Sequence, residues 1–165
     1  MSMKKFLHLG LVCLLACFCA CSTGRVSVRD NCALDSICNL AMQRRLAVDF
    51  NYVTPLQLPP HILTTPYSIV VGGDSVDSQL PYFGEAYRSD YGSTRSPLDF
   101  KTRITAYDVV RRRDQVLVRL SVSIQPEQFD FLLSLFANGR ASLHVNSNYR
   151  QSINFDGDLR QEPMP

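Results

Sequence analysis

Apolar and polar positions alternate through most of this chain. Val116, Val118, Leu120, Val122 and Ile124 interleave with Leu117, Arg119, Ser121 and Ser123. Successive side chains of an extended backbone point to opposite faces, so this stretch predicts a strand buried on one side. Leu46, Val48, Phe50 and Tyr52 share one face of a second strand, with Ala47, Asp49 and Asn51 on the other. Leu98 to Val110 reads the same way, except that its apolar face changes between Ile104 and Tyr107, as a β-bulge would produce. Ser152 to Asp156, with Ile153 and Phe155 on one face, supplies the last strand.

Turn chemistry joins these runs into hairpins. Gly73-Asp74 at the centre of a two-residue turn, glycine first as a type II′ turn requires, sets Val71 against Val76, Ile69 against Ser78 and Tyr67 against Leu80. Ser68, Ser75, Asp77 and Gln79 then take the wetter face. Around Asn138-Gly139 a two-residue turn would mix apolar and polar partners. A three-residue loop, Ala137-Asn138-Gly139, instead sets Leu135 against Ala141, Leu133 against Leu143 and Phe131 against Val145. That register builds one apolar face, so Gly139 is expected in the left-handed region as the glycine of a G1 bulge. Arg111-Arg112-Arg113-Asp114 joins another pair. Three arginines at a hairpin tip could meet phosphate or an anionic sugar, but a solvated turn explains them better. Pro55, Pro59 and Pro60 interrupt the pattern and predict a long connection.

Before the strands the period is helical. Leu34, Ile37, Cys38 and Ala41 fall at i, i+3, i+4 and i+7, predicting an amphipathic helix over about Cys32 to Arg45. Asp30 or Asn31 can cap its start, and Arg44 and Arg45 suit its negative end. The fold expected is α+β and mainly antiparallel: a meander sheet or a sandwich of consecutive hairpins, seven or eight strands in all, with one N-terminal helix.

The stretch Leu80 to Tyr91 stands apart, with four aromatics, a proline and a glycine in twelve residues. Pro81 lacks an N–H and ends a hydrogen-bonded ladder. Strand alternation carried past Leu80 keeps Tyr82 on the core side, and Phe83, with no polar handle, is expected to be buried. Tyr87 and Tyr91 flank a polar run with Arg88, Ser89 and Asp90. Tyr82, Tyr87, Arg88 and Tyr91 are therefore the candidate ligand surface, rings and hydroxyls together. The competing explanation is a corner whose rings only close one end of the core.

The N-terminus changes where this domain is expected to work. Lys4 and Lys5 precede an uncharged apolar run, Phe6 to Ala20, as in a secretory signal. Both Leu14-Leu15-Ala16-Cys17 and Phe18-Cys19-Ala20-Cys21 resemble a lipobox, whose cysteine takes the lipid. Cys21 has the better context, because Ser22-Thr23-Gly24-Arg25 turns polar at once; Cys17 is the alternative. The expected organisation is a lipoprotein signal peptide over 1–21, a tether over 22–30, one β-rich domain over 31–160 and a tail over 161–165. Removing the signal leaves roughly 145 residues, enough for one core and short of two. Of six cysteines only Cys32 and Cys38 then remain in the mature body, with Cys21 as the anchor. They cannot bridge within one continuous helix, where residues six apart are separated by about 9 Å of rise, so Cys38 is expected as a buried thiol. A net charge of +2 supplies no field for nucleic acid.

Three blocks carry a resemblance. Leu80-Pro81-Tyr82-Phe83-Gly84-Glu85-Ala86-Tyr87 is followed by Phe136-Ala137-Asn138-Gly139-Arg140-Ala141-Ser142-Leu143-His144-Val145, then by Arg150-Gln151-Ser152-Ile153-Asn154-Phe155-Asp156-Gly157. In this order and spacing the chain resembles a Bacteroidetes lipoprotein family that carries a domain of unknown function, number 4251. The resemblance spans about Leu34 to Leu159. It implies an envelope location and a β-rich domain, and brings neither an activity nor a catalytic residue.

Catalytic patterns are sparse. His61, beside two prolines in a connection, and His144, on the polar side of a strand, are the histidines beyond the signal, and no Gly-x-Ser-x-Gly elbow is present. Cys32, Cys38, His61 and His144 match no compact zinc spacing. Asp99, Asp108, Asp114, Asp130, Asp156 and Asp158 fall at strand ends and turns, which favour aspartate in any case. The function expected is a non-catalytic binding or assembly module of the cell envelope. It would use no cofactor, reach the membrane through its N-terminal lipid, and meet an envelope protein or glycan rather than nucleic acid. The alternative is a hydrolase of glycan or peptidoglycan working through paired carboxylates.

Overall fold

The computed structural model of the protein describes residues 28–85 and 96–160. Among the described residues a helix, α1 (Val28–Met42), leads into eight strands: β1 (Arg45–Pro55), β2 (His61–Gly72), β3 (Ser75–Gln79), β4 (Asp99–Arg111), β5 (Gln115–Ile124), β6 (Glu127–Phe136), β7 (Arg140–Ser147) and β8 (Ile153–Leu159). Each strand pairs antiparallel with the next, and β8 pairs with β1. The antiparallel hairpins and the N-terminal helix are as expected. An open meander or a sandwich is not: the sheet closes on itself as an eight-stranded barrel.

Closure rests on a contact the local pattern cannot reveal. Gly157 of β8 lies opposite Phe50 of β1 where the β1 register shifts, between Phe50 and Tyr52. A Cβ at Gly157 would fall 2.0 Å from the Asp49 carbonyl oxygen and 2.7 Å from the Phe50 Cα. Only a residue without a side chain lets the two backbones come this close.

The same bulge corrects the reading of β1. Leu46, Val48 and Phe50 face inward as expected, but Tyr52 is exposed and Val53 is buried. An extra residue reverses every face beyond it. β2 answers the bulge with the four residues between Ile62 and Tyr67, so it begins at His61 instead of near Tyr67. Pro66, which has no N–H to donate, sits in that unpaired stretch. His61, placed in a connection by its neighbouring prolines, is the first residue of β2.

Elsewhere the registers match, except that the β2–β3 ladder stops at Ser68 and Gln79, short of the expected Tyr67–Leu80 pair. Val71 faces Val76 and Ile69 faces Ser78 across a turn where Gly73 has φ 58°. Leu135 meets Ala141, Leu133 meets Leu143 and Phe131 meets Val145, with Gly139 at φ 82°. The bulge expected in β4 falls between Ile104 and Ala106.

Inward-facing residues of all eight strands fill the barrel as one apolar cluster with Leu34, Ile37, Cys38 and Ala41 of α1. Eight strands enclose a space that side chains can fill completely. The helix contacts β1 on one side and β4, β5 and β6 on the other, so it lies across one mouth of the barrel. It begins four residues before Cys32 and stops three before Arg45. Arg44 ends it in the left-handed region, at φ 53°, a conformation costing an ordinary residue about 1–2 kcal/mol. Three contacts offset that cost. Its guanidinium pairs with Asp74 and lies 4.9 Å from the Tyr107 ring centroid, and its carbonyl accepts from the Gly73 N–H at 3.0 Å. Cys32 is exposed and Cys38 buried, both as free thiols on this helix.

The outer face carries Lys101, Arg103, Asp108, Arg119, Asp130, Arg140, His144 and Asp158, all exposed. An apolar inside and a charged outside suit water around the barrel and oppose lipid, since membrane barrels turn an apolar band outward. Among the described residues no helix is long and apolar enough to cross a membrane.

Candidate functional site

The mouth opposite α1 is built differently. It gathers the β1–β2 and β3–β4 connections, the cis Gln125-Pro126 turn and the segment between β7 and β8. After β3 the chain turns inward: Leu80 is 1 % exposed, and its N–H reaches the Leu98 carbonyl at 3.3 Å. Pro81 is buried, and Tyr82 and Phe83 are half-buried at the rim. The Phe83 ring meets the His61 ring edge-on, centroids 4.7 Å apart. Phe83 is therefore a lid on the core and not part of its interior, because Pro81 has already carried the chain out of strand geometry. Beside it opens a groove of about 650 Å3, lined by Pro66, Tyr67, Gln79, Leu80, Pro81, Tyr82, Phe83, Ser96, Pro97 and Asp99.

A polar scaffold fixes one wall. The Tyr82 hydroxyl lies 3.0 Å from both the Glu85 and Gln151 carbonyl oxygens, and the Gln151 N–H donates to the Glu85 carbonyl at 3.2 Å. Gly84 makes room for the ring to fold back, since a Cβ there would come 2.6 Å from the Tyr82 hydroxyl. The Arg150 guanidinium lies over the Tyr82 ring, 5.7 Å from its centroid. Its Nε donates to both Glu127 oxygens, at 3.0 and 3.1 Å, and the Ser147 hydroxyl donates to the same carboxylate. Glu127 and Arg150 expose only 9 % and 16 % of their side chains, so a charge pair lies close under the rim. Pairing offsets most of the desolvation that two such charges suffer.

Of the candidate ligand residues, Tyr82 lines the groove with its ring while its hydroxyl is committed to the scaffold. Tyr87, Arg88 and Tyr91 lie outside the described residues, as do Cys17 and Cys21. Sequence reasoning passed over Glu127, Arg150 and Gln151. Glu127 carried a readable signal, because it shares its strand face with Phe129 and Phe131, where an unpaired charge would be costly. Arg150 and Gln151 carried none, lying in an irregular segment.

The groove has polar groups to spare. Among the described residues the Tyr67 hydroxyl, the Gln79 amide and the Asp99 carboxylate have no side-chain partner. The other acids lie away from the groove, with Asp49 and Asp158 opposite each other across the β1–β8 pair. Asp130 accepts from Ser121 at 2.6 Å, Asp108 lies 4.0 Å from Arg119, and Asp158 lies 3.8 Å from Arg140, each on the outer surface. His144 pairs with Asn154 at 2.7 Å on that surface. Among the described residues no three His, Cys, Asp or Glu side chains converge as metal ligands would.

A family profile described as a domain of unknown function (DUF4251) matches residues 30–159. No curated protein matches the chain.

Proposed function

The chain belongs to the DUF4251 family, a domain of unknown function, and we propose that it is a binding module of the cell envelope whose working end is the groove-bearing mouth. The observation that carries this reading is the contrast between the two mouths. One is sealed by α1; the other holds an open groove with aromatic and proline walls and unpartnered polar groups. Binding sites are typically concavities of this kind, apolar with a few polar groups that fix orientation. Asp99 is the one acid among the groove's described lining residues, which favours recognition there over hydrolysis by paired carboxylates. Lipid on Cys21 holds the chain at the membrane by its α1 end, so that the groove points towards a protein or glycan partner in the envelope.

Labelling with an alkynyl fatty-acid analogue, in cells producing the full chain, tests the anchor. Cys21→Ala is expected to lose the label and release the protein from the membrane fraction. A labelled or membrane-bound Cys21→Ala protein contradicts anchoring at that residue.

A further inference from the structure

Among the described lining residues of the groove Asp99 alone is charged, exposed at the start of β4 and directly across from Gln79 in the β3–β4 register. The nearby cations of the described surface are already engaged: Lys101 lies 3.7 Å from Asp77, and Arg150 is held by Glu127. Asp99 therefore offers an unneutralised carboxylate at the edge of a surface made of Tyr67, Tyr82, Phe83 and three prolines. Carboxylates and the faces of aromatic rings both favour a cation. The prolines and rings favour an apolar stem that leads to it.

We propose that the groove recognises an extended peptide through a basic side chain, its ammonium or guanidinium at Asp99 and its methylene stem along Tyr67 and Pro97. This rests on the reading of the groove as a binding site and adds its selectivity. A peptide is favoured over a sugar because the groove presents three spaced polar groups on an apolar floor. A pyranose ring would demand a denser set of hydrogen bonds. The unpartnered Gln79 amide and Tyr67 hydroxyl are placed to meet peptide backbone groups instead.

Fluorescence anisotropy tests this with detergent-solubilised full-length protein and two labelled peptides, Gly-Pro-Lys-Pro-Gly and its norleucine counterpart, which has the same stem without the charge. The lysine peptide is expected to bind about fivefold more tightly at low salt, the upper range for an exposed ion pair. The preference should shrink at about 1 M salt, where screening acts within about 3 Å. Asp99→Asn should abolish the preference while thermal unfolding stays unchanged, and Asp114→Asn, at the opposite mouth, should preserve it. Equal affinity for the two peptides, or a preference that survives Asp99→Asn, overturns the cation selectivity. If equal binding is also weakened by Tyr67→Ser, the groove remains a binding site without that selectivity. Binding of neither peptide overturns the proposal, and binding unaffected by both groove substitutions overturns the groove as the site.

Discussion

Gly157 shows how much of this fold hangs on one residue. Its absent side chain lets β8 lie against the bulge of β1, and the obstacles to a Cβ there are backbone atoms of Asp49 and Phe50, not the movable end of a side chain. Gly157→Ala should therefore cost at least about 3 kcal/mol, the top of the usual range for overpacking. Urea unfolding read by far-UV circular dichroism measures it. Gly72 has open space around it, so Gly72→Ala is the control and should stay within about 1 kcal/mol. The sequence shows Gly157 only as a glycine in a strand pattern, which signals a bulge or a close backbone approach without saying to what. Glu127 is the converse case. It stands on an apolar face, a local conflict that announces a partner, but the partner, Arg150, is 23 residues away in an irregular segment.

At the scale of elements, the strands and two of the turns were legible because period-two alternation and glycine placement act over a few residues. The β2–β3 and β6–β7 registers follow from Gly73 and Gly139 together with the apolar face that each register builds. The long bulge in β2 was not legible: it answers the bulge in β1, and a pairing partner is not a local property. The helix boundaries slipped for a related reason. No glycine marks the end of α1; Arg44 takes the left-handed position because Asp74 and Tyr107 reward it there. Tyr107 also pins the helix directly, donating its hydroxyl to the Ala41 carbonyl at 2.7 Å. Burial pushes this phenol up from 10.0 to about 12, the nearby Arg44 guanidinium acting in the opposite sense. The folded state thus holds the proton more tightly than the unfolded one. The neutral phenol's contribution is fully present below pH 10 and is lost as pH rises from about 10 towards 12. Tyr107→Phe should lower stability by about 0.5–1.5 kcal/mol at neutral pH, the typical net worth of one hydrogen bond. It should also flatten the decline between pH 10 and 12 relative to the unsubstituted protein. Denaturant midpoints across that range check both effects.

For the whole molecule, the antiparallel class was readable and the closure was not, since consecutive hairpins are equally consistent with an open meander, a sandwich or a barrel. What decides is the pairing of β8 with β1, the pair most distant in sequence. Closure also gives the molecule two unlike ends. The helix seals the mouth nearest the N-terminal segment, and Leu80, Pro81, Tyr82 and Phe83 of the aromatic stretch lie at the other. The groove itself could not be read, because Pro66, Tyr67 and Asp99 join Tyr82 there only once the barrel exists. The central claim, that this mouth is the working end, is tested most directly by photo-crosslinking in cells producing the full chain. A photoreactive phenylalanine analogue is placed at Gln79 on the groove, or at Asp114 in the turn at the helix-sealed mouth. Both positions are exposed, so both chains should fold. The account predicts a discrete crosslinked adduct from position 79 and none from position 114; an adduct from 114 alone, or equal adducts from both, would contradict it.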